Sequence, residues 1–576
     1  MKKKFCLSLA IVLLFFSAAI LPAHAAAGKC GDNLTYSYED SGKTIVITGT
    51  GEMDDYSICV FGPTTLEKVV IGEGVTSVGS YAFYDCQKLR SISLPSTLTK
   101  IGAGAFTLSS ATTVELPESL TDIDEGAFWG MRALSLTIPK NVSSIGDSAF
   151  CNVKSVSVDP SNSHFILKDG MVLSADGKRL LCFSSALNSS STIDVPDGVT
   201  TIGSYAFGYN ETIQTVHLPS SVSEIGESAF SNSSLQHISI PSGLKKLGKF
   251  AFWFSKLQTL DLSGTTLERI GWSSVDSCSD LTSVVLPKTL THLDMQFDGT
   301  QITSLVIPDN VYSLGRESAR DCSKLTEITF GPKITYIHEN AFPFCQNLKK
   351  IRGYSGTAAE KFAADNGYTF ESLGAAHAGS LKNFSARRSY RAGQFRDVPS
   401  SLWCANTIQT VYQAGLMDGV SKTAFAPGDR VNLSNLIVMA ARLHSIYTGD
   451  GHVFGRISGK PWYQSYVDYA IKEGLFSAGD FSSYDVTANQ GQMAYLFAHT
   501  LSYGALPTLN HLPNAIIGNN DIQNMYCGTE VDALYCAGVL TGSNSERSFS
   551  SYPSVTRAQA AAVMARLIDP SLRVKF

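Results

Sequence analysis

The sequence predicts an α+β multidomain protein. Its larger part is a curved solenoid with a parallel sheet on the concave face, and an all-α domain follows. Three observations carry this. A nine-residue pattern ending in Ala-Phe recurs through the first two-thirds of the chain, mostly 22 or 23 residues apart. An apolar-x-apolar-Pro element accompanies most copies, and after Leu373 the period gives way to three segments of helical apolar spacing. A chain of 576 residues exceeds what one hydrophobic core supports. Stacked repeats resolve that limit, because each unit buries its apolar face against the next.

Residues 1–25 read as a secretory leader. Lys2, Lys3 and Lys4 precede an apolar run from Leu7 to Leu21, and Ala23-His24-Ala25 is a small-residue cleavage site. The run is shorter than the roughly 20 residues of a membrane span. The formal charge is −5, and more acidic once the leader lysines are gone, which argues against a nucleic-acid partner. Of the 12 cysteines, Cys6 falls in the leader. The odd remainder and the absence of C-x-x-C favour buried thiols over a disulfide or metal framework. Cys86, Cys278, Cys322 and Cys345 stand just after the Phe position of a repeat, and Cys322 and Cys345 should stack.

Residues 26–66 read as a β cap, with Tyr36 and Tyr38 opposite Ile45 and Ile47 across Ser41-Gly42. The solenoid spans 67–371. Its copies read VTSVGSYAF at Phe83, LTKIGAGAF at Phe106, LTDIDEGAF at Phe128, VSSIGDSAF at Phe150 and VTTIGSYAF at Phe207. VSEIGESAF at Phe230, LKKLGKFAF at Phe252 and ITYIHENAF at Phe342 follow. The eight Phe are expected to form one continuous stack. Three degenerate copies, ending at Val275, Asp298 and Ala319, bring the count to eleven. The strand ends, such as Ile92-Ser93-Leu94-Pro95, alternate with period 2 and stop at a proline that cannot donate to a ladder. An insert near 151–198 carries Asp176-Gly177 between apolar runs and predicts a hairpin projecting from one edge. Ala358–Asp365, stopped by Gly367, predicts a capping helix.

These elements, I-G-x-x-A-F with L-P-x-x-(V/L), resemble the bacterial surface-antigen class of leucine-rich repeats over roughly 300 residues. The resemblance implies a surface adhesin or ligand-binding module. Eighteen outward strand positions are candidates for the binding face, and eleven of them are Ser or Thr. None is Phe, Tyr, Trp, Lys or Arg, so this face shows no hot spot of the usual kind. The candidates with chemistry are Glu115, His217, His237, Asp261 and Glu327. His217 and His237 lie on neighbouring strands at offset positions, which does not make a metal site.

Residues 372–394 read as a linker rich in small and basic residues. Beyond it, Trp403, Trp462 and Tyr526 are each followed by Gly twelve residues later, with i, i+3 apolar pairs between. Three units follow, about 395–450, 451–510 and 511–576. Phe395-Arg396-Asp397-Val398-Pro399, Gly415-Leu-Met-Asp-Gly419 and Val555-Thr556-Arg557-Ala558-Gln559 resemble S-layer homology repeats. That family implies a pseudo-threefold domain holding a secreted protein to an anionic wall polysaccharide. Thr556, Arg557, Gln559, Trp403 and Asp397 are then the candidate contacts. A guanidinium fork matches a carboxylate, and Arg557 opens a helix whose N–H groups are expected to be free. The alternative for Arg557 is an ordinary solvated or interface arginine, and Trp403, Asp397 and Trp462 read chiefly as packing residues with some exposure to the groove. Units one and two lack the arginine, with Leu433 and Ala488 taken as its counterparts. Cys527 and Cys536, nine residues apart, would lie about 13.5 Å apart along one helix, too far for a disulfide.

No G-x-S-x-G, H-E-x-x-H, P-loop or dinucleotide fingerprint occurs. No catalytic residue, cofactor or metal is expected. The expected function is a non-catalytic protein of the cell wall or cell surface. It would be anchored by the helical repeats and display the solenoid to an unknown protein or glycan. The alternatives are a structural envelope component, or an enzyme without a recognisable motif.

Overall fold

In the computed structural model the repeats supply strands to two kinds of parallel ladder. Residues 27–58, 60–61, 65–184, 186–293, 296–376, 379–476, 478–502, 505–510, 528–541 and 549–576 are described. The leader reading and Cys527 lie outside them. The chain divides into two compact units, residues 1–190 with 203–210 and residues 191–202 with 211–576.

The first unit opens on antiparallel strands Ala27–Gly31, Leu34–Glu39 and Thr44–Gly49, where Tyr36 faces Ile47 and Tyr38 faces Ile45. Thr44–Gly49 then pairs in parallel with Lys68–Ile71, and that strand with Ser91–Ser93. A second parallel ladder joins Val75–Val78, Lys100–Ile101, Asp122–Ile123 and Ser144–Ile145. Alternation decides what each strand buries: Ile92 points inward between exposed Ser91 and Ser93. Phe83, Phe106, Phe128 and Phe150 stack with ring centroids 5.4, 5.7 and 5.9 Å apart. Phe61 extends the stack at the cap, 5.3 Å from Phe83.

The insert departs from expectation. Phe165–Lys168, Met171–Ser174 and Arg179–Phe183 form an antiparallel meander with tight turns at Gly170 and Gly177. It does not project freely. Val172 and Leu180 are fully buried, and Phe165, Val172 and Cys182 share the core of the Phe stack. Burying those side chains outweighs solvating a hairpin that carries Met, Val and Leu on adjacent positions. Phe183, from the insert, lies 5.5 Å from Phe207.

In the second unit, Thr192–Asp194, Thr215–His217 and His237–Ser239 pair in parallel, and Phe230 stacks on Phe252 at 5.5 Å. The backbone sets the register of the degenerate copies. Phe252 N–H donates to Ser274 O, Ser277 N–H to Asp298 O, and Gly299 N–H to Arg320 O. Val275, Phe297 and Ala319 therefore occupy the Phe position. The middle copy ends at the fully buried Phe297, not at Asp298, so Phe is lost from two copies rather than three. Phe342 meets Phe330 and Phe362 edge-on at 6.4 and 5.6 Å. The eight rings are thus not one continuous stack, because Val275 and Ala319 interrupt it.

The cysteines after the Phe position fill it chemically as well as sterically. Cys278, Cys322 and Cys345 are free thiols that donate to the carbonyls of Phe252, Phe297 and Ala319, one repeat back. Ser109 does the same to Phe83 O. Burial pushes the Cys278 thiol up to about 12, so it stays protonated and able to donate. The solenoid ends in helix α1 (Ala358–Asn366), closed by Gly367 at φ 71°, where a left-handed residue is needed.

Helices α2 (Ala405–Gln413), α3 (Leu433–Thr448), α4 (Gln464–Glu473), α5 (Gln490–Ala498), α6 (Gly528–Cys536) and α7 (Arg557–Ile568) form the helical region. The i, i+3 residues Ile408, Val411, Val467, Ala470, Val531 and Leu534 are all buried. A closed ring of three hydrogen bonds ties the units together. Val431 N–H donates to Val555 O, Val555 N–H to Ala488 O, and Ala488 N–H to Val431 O.

Residues 380–391, expected as a linker, are held to the helices. Ser380 N–H and the Asn383 side chain donate to Tyr447 O, and Arg387 N–H donates to Gln413 O. The degenerate repeats also pack on the helical region. The Arg269 guanidinium lies 2.9 Å from Asp480, Tyr312 donates to Glu473 O at 2.7 Å, and Ser313 donates to Glu530. Tyr312 and Ser313 are buried there, whereas Lys245 and Lys246 at the matching point of a regular repeat are exposed. Among the described residues no helix is long and apolar enough to cross a membrane.

Candidate anion-binding site and the solenoid faces

The ring of hydrogen bonds fixes which residues correspond among the three units. Helices α3, α5 and α7 begin after Asn432, Asn489 and Thr556. The counterpart of Arg557 in unit two is therefore Gln490, two residues beyond Ala488, while Leu433 in unit one stands. Asn489 with Gln492, and Thr556 with Gln559, form capping boxes that satisfy the first turns of α5 and α7.

Those boxes assign Thr556 and Gln559 a structural task. The N–H groups of α7 are not free, which corrects the expectation. Arg557 N–H donates to Asp429 O, Ala558 N–H to Pro427 O, and Gln559 N–H to Thr556 Oγ1. The Arg557 guanidinium lies 4.6 Å from the Phe425 ring centroid and donates from Nε to Phe425 O and from Nη2 to Asp418 O. Burial lowers its pKa, against the nearby Asp429, Asp418 and Asp397. Asp397 grips the same loop from the other side, accepting the N–H groups of Phe425 and Ala426. Burial works against its charge. Those two N–H groups and Arg557 nevertheless hold its carboxyl below the usual range.

Asp418 is the centre of this arrangement. Its carboxylate pairs with Arg388 from the segment before α2 and, at 3.2 Å, with Arg442 of α3. Its carbonyl takes Arg557. Burial opposes the charge, but Arg388 and Arg442 overcome it and keep the carboxyl below its ordinary pKa. Arg388 also lies over the Tyr412 ring and Arg442 over Tyr466, each at 5.6 Å. Two guanidinium groups thus converge on the Asp418 carboxylate and a third on its backbone carbonyl. The sequence does not mark Arg388 or Arg442 as a site residue, because each reaches Asp418 only through tertiary packing. Trp403 is 66% exposed and Trp462 48% exposed, and Trp462 also meets Tyr463 edge-on at 5.7 Å.

The solenoid candidates are dispersed. Glu115 is exposed in the first unit. In the second, His217 Nδ1 lies 2.7 Å from Asp194 Oδ1, and His237 stands beside Thr215 rather than His217. Asp261 takes the Ser263 N–H, and Glu327 pairs with Lys350 at 3.3 Å. Lys350 in turn reaches Glu371, which also meets Arg352. These last strands carry basic residues that the count of strand positions stopped short of.

The model of the BspA-type leucine-rich repeat region matches residues 57–169, 181–297 and 294–364, just over half of the chain. The chain belongs to the BspA-type leucine-rich repeat family. The S-layer homology domain model matches residues 394–432, the segment that holds Asp397, Trp403, Asp418 and Phe425. Solved structures similar to this family member include the pneumococcal vaccine antigen PcpA, at 19% identity and TM-score 0.38, covering 61% of this chain and 97% of that one. A leucine-rich repeat protein from Bacteroides ovatus is 22% identical with TM-score 0.36, covering 60% and 99%. One from Eubacterium ventriosum is 18% identical with TM-score 0.35, covering 58% and 88%. No curated protein sequence matches the chain.

Proposed function

We propose that this protein is a non-catalytic cell-surface protein. Its helical region grips an anionic wall polysaccharide, and its solenoid is presented outward for adhesion or ligand binding. The observation that carries the anchoring is the convergence of Arg388, Arg442 and Arg557 on Asp418, inside and beside the S-layer homology match. The Asp418 carboxylate offsets only part of the two charges of Arg388 and Arg442, and planar forks fit carboxylates in pairs. Arg388 and Arg442 offer the ligand their remaining N–H groups. Arg557, bonded to two carbonyls, shapes the loop and adds field. Trp403 supplies an exposed ring in the same matched segment. Thr556, Gln559 and Asp397 hold the site in place.

The test is binding of the whole protein to purified secondary wall polysaccharide. Arg388→Ala is expected to weaken binding about tenfold without changing the fold, since a charge-assisted contact contributes about 1.5 kcal/mol or more. Wild-type binding by Arg388→Ala and by Arg442→Ala together would remove this site from the anchoring.

A further inference from the structure

The solenoid carries an aromatic cluster away from its strand positions. Phe250 and Phe254 stand two residues before and two after the buried Phe252, at turn positions with φ 55°. Gly104 takes the same place before Phe106. The left-handed turn recurs along the solenoid, with Tyr81 and Tyr205 at the matching place before Phe83 and Phe207, so the repeat backbone sets it and the aromatic side chains distinguish this copy. Phe250 meets Trp253 at 6.0 Å and Trp272 at 5.1 Å, and Trp253 meets Phe254 at 4.6 Å, all edge-to-face. Phe254 remains 44% exposed and Trp272 43%. Four rings grouped at the surface exceed the scattered apolar residues that need no explanation.

The charge along this stretch of sequence is unlike that of the chain. Between Glu227 and Asp261 there is no carboxylate, while Lys245, Lys246, Lys249 and Lys256 fall within twelve residues. Lys246 pairs with Glu224. Lys249 and Lys256, which flank the aromatic run, are exposed and form no ion pair among the described residues. An acidic protein therefore presents a cationic aromatic patch along this stretch.

We propose that Phe250, Trp253, Phe254 and Trp272, with Lys249 and Lys256, bind an anionic glycan. The negative faces of the rings attract the weakly positive C–H edges of a pyranose, and the ammonium groups meet its carboxylates or sulfates. The surroundings favour a glycan over the other anionic partners. Lysine is depleted from protein–protein interfaces, where arginine serves instead. Rings more than half packed on one another make a platform, whereas membrane binding buries an apolar face about 5–10 Å deep.

The test uses the whole protein with heparin, hyaluronan, neutral dextran, poly-glutamate and vesicles of phosphatidylglycerol with phosphatidylcholine. Binding of heparin or hyaluronan, weakened by salt, with little binding of dextran, poly-glutamate or vesicles, is expected. Phe254→Ala with Trp272→Ala should lower that affinity at least tenfold. Lys249→Ser with Lys256→Ser, at exposed positions that leave the fold intact, should lower it several-fold and flatten its salt dependence. Both variants should keep wild-type binding to wall polysaccharide, so this patch and the arginine site succeed or fail separately. Unchanged heparin and hyaluronan binding in both variants, absence of such binding in the wild type, or stronger binding to vesicles or poly-glutamate would overturn the proposal.

Discussion

The regular repeats around Phe106 and the degenerate repeats around Tyr312 solve the same packing problem differently. At Phe106 the ring is fully buried between Phe83 and Phe128, and the outward residues nearby are solvated. Around Tyr312 two copies have Val275 and Ala319 where Phe would stand, and residues that elsewhere face water are covered by the helices. A lost motif residue therefore does not mean a loose repeat. The repeats that depart from the consensus bury polar and ionic contacts with α4, α5, α6 and the loop between α4 and α5.

The largest effect should come from the regular region. Phe106→Ala removes a ring with partners on both sides and is expected to cost about 3–5 kcal/mol. Denaturant unfolding followed by circular dichroism reads this directly. A loss under about 1 kcal/mol would mean that the stack does not hold the first unit together.

The next probes the other region. Arg269 meets Asp480, whose side chain is 6% exposed. Arg269→Ala strips a buried carboxylate of its guanidinium and should cost about 3 kcal/mol. It should also split thermal unfolding into two steps as the helices part from the degenerate repeats. A single unshifted transition would show that this contact does not couple them.

How much of this contrast was legible follows from period. The copies ending at Phe83 to Phe150 could be placed to the residue, because the same spacing fixes strand, turn and ring together. Phe297 was misplaced by one residue because its copy, LTHLDMQFD, keeps neither the glycine nor the Ala-Phe ending. Gln490 was misaligned for a related reason. Val486-Thr487 imitates Val555-Thr556, and only the hydrogen bond from Ala488 to Val431 reveals the true register. The arginine cluster was half legible: Arg557 sits in a motif, but Arg388 and Arg442 reach Asp418 through tertiary packing. The aromatic cluster is not legible in the strand alternation because Phe250 and Phe254 stand on turns, outside the period-2 positions.

A smaller, pH-dependent effect separates the regions again. Asp276 follows Val275, at the point where a regular repeat has Trp129 or Trp253. Burial raises its pKa to about 7, against the Asp298 N–H it accepts. The unfolded carboxyl titrates near 4, so between about pH 4 and 7 the folded state holds the extra proton. Stability then falls as pH rises through that window and levels off above it. Asp276→Asn should thus gain about 1–2 kcal/mol at pH 8 and nothing at pH 4. A gain that persists at pH 4 would assign the effect to packing rather than to charge.

The smallest effect sharpens the comparison with Arg269. Lys100 and Asp124 are 2.9 Å apart, as close as Arg269 and Asp480, but their side chains are 51% and 35% exposed. Asp124 raises the Lys100 pKa, yet at that exposure water and salt screen the pair. Lys100→Ala should change stability by less than about 0.5 kcal/mol, and the difference should shrink further in 0.5 M salt. Lys246→Ala, which breaks the similar pair with Glu224, should behave alike. Unfolding both variants beside Arg269→Ala keeps ion-pair distance nearly constant while burial changes. Losses of 2 kcal/mol or more at Lys100 would show that ladder charges brace the regular repeats as the buried pair braces the degenerate ones.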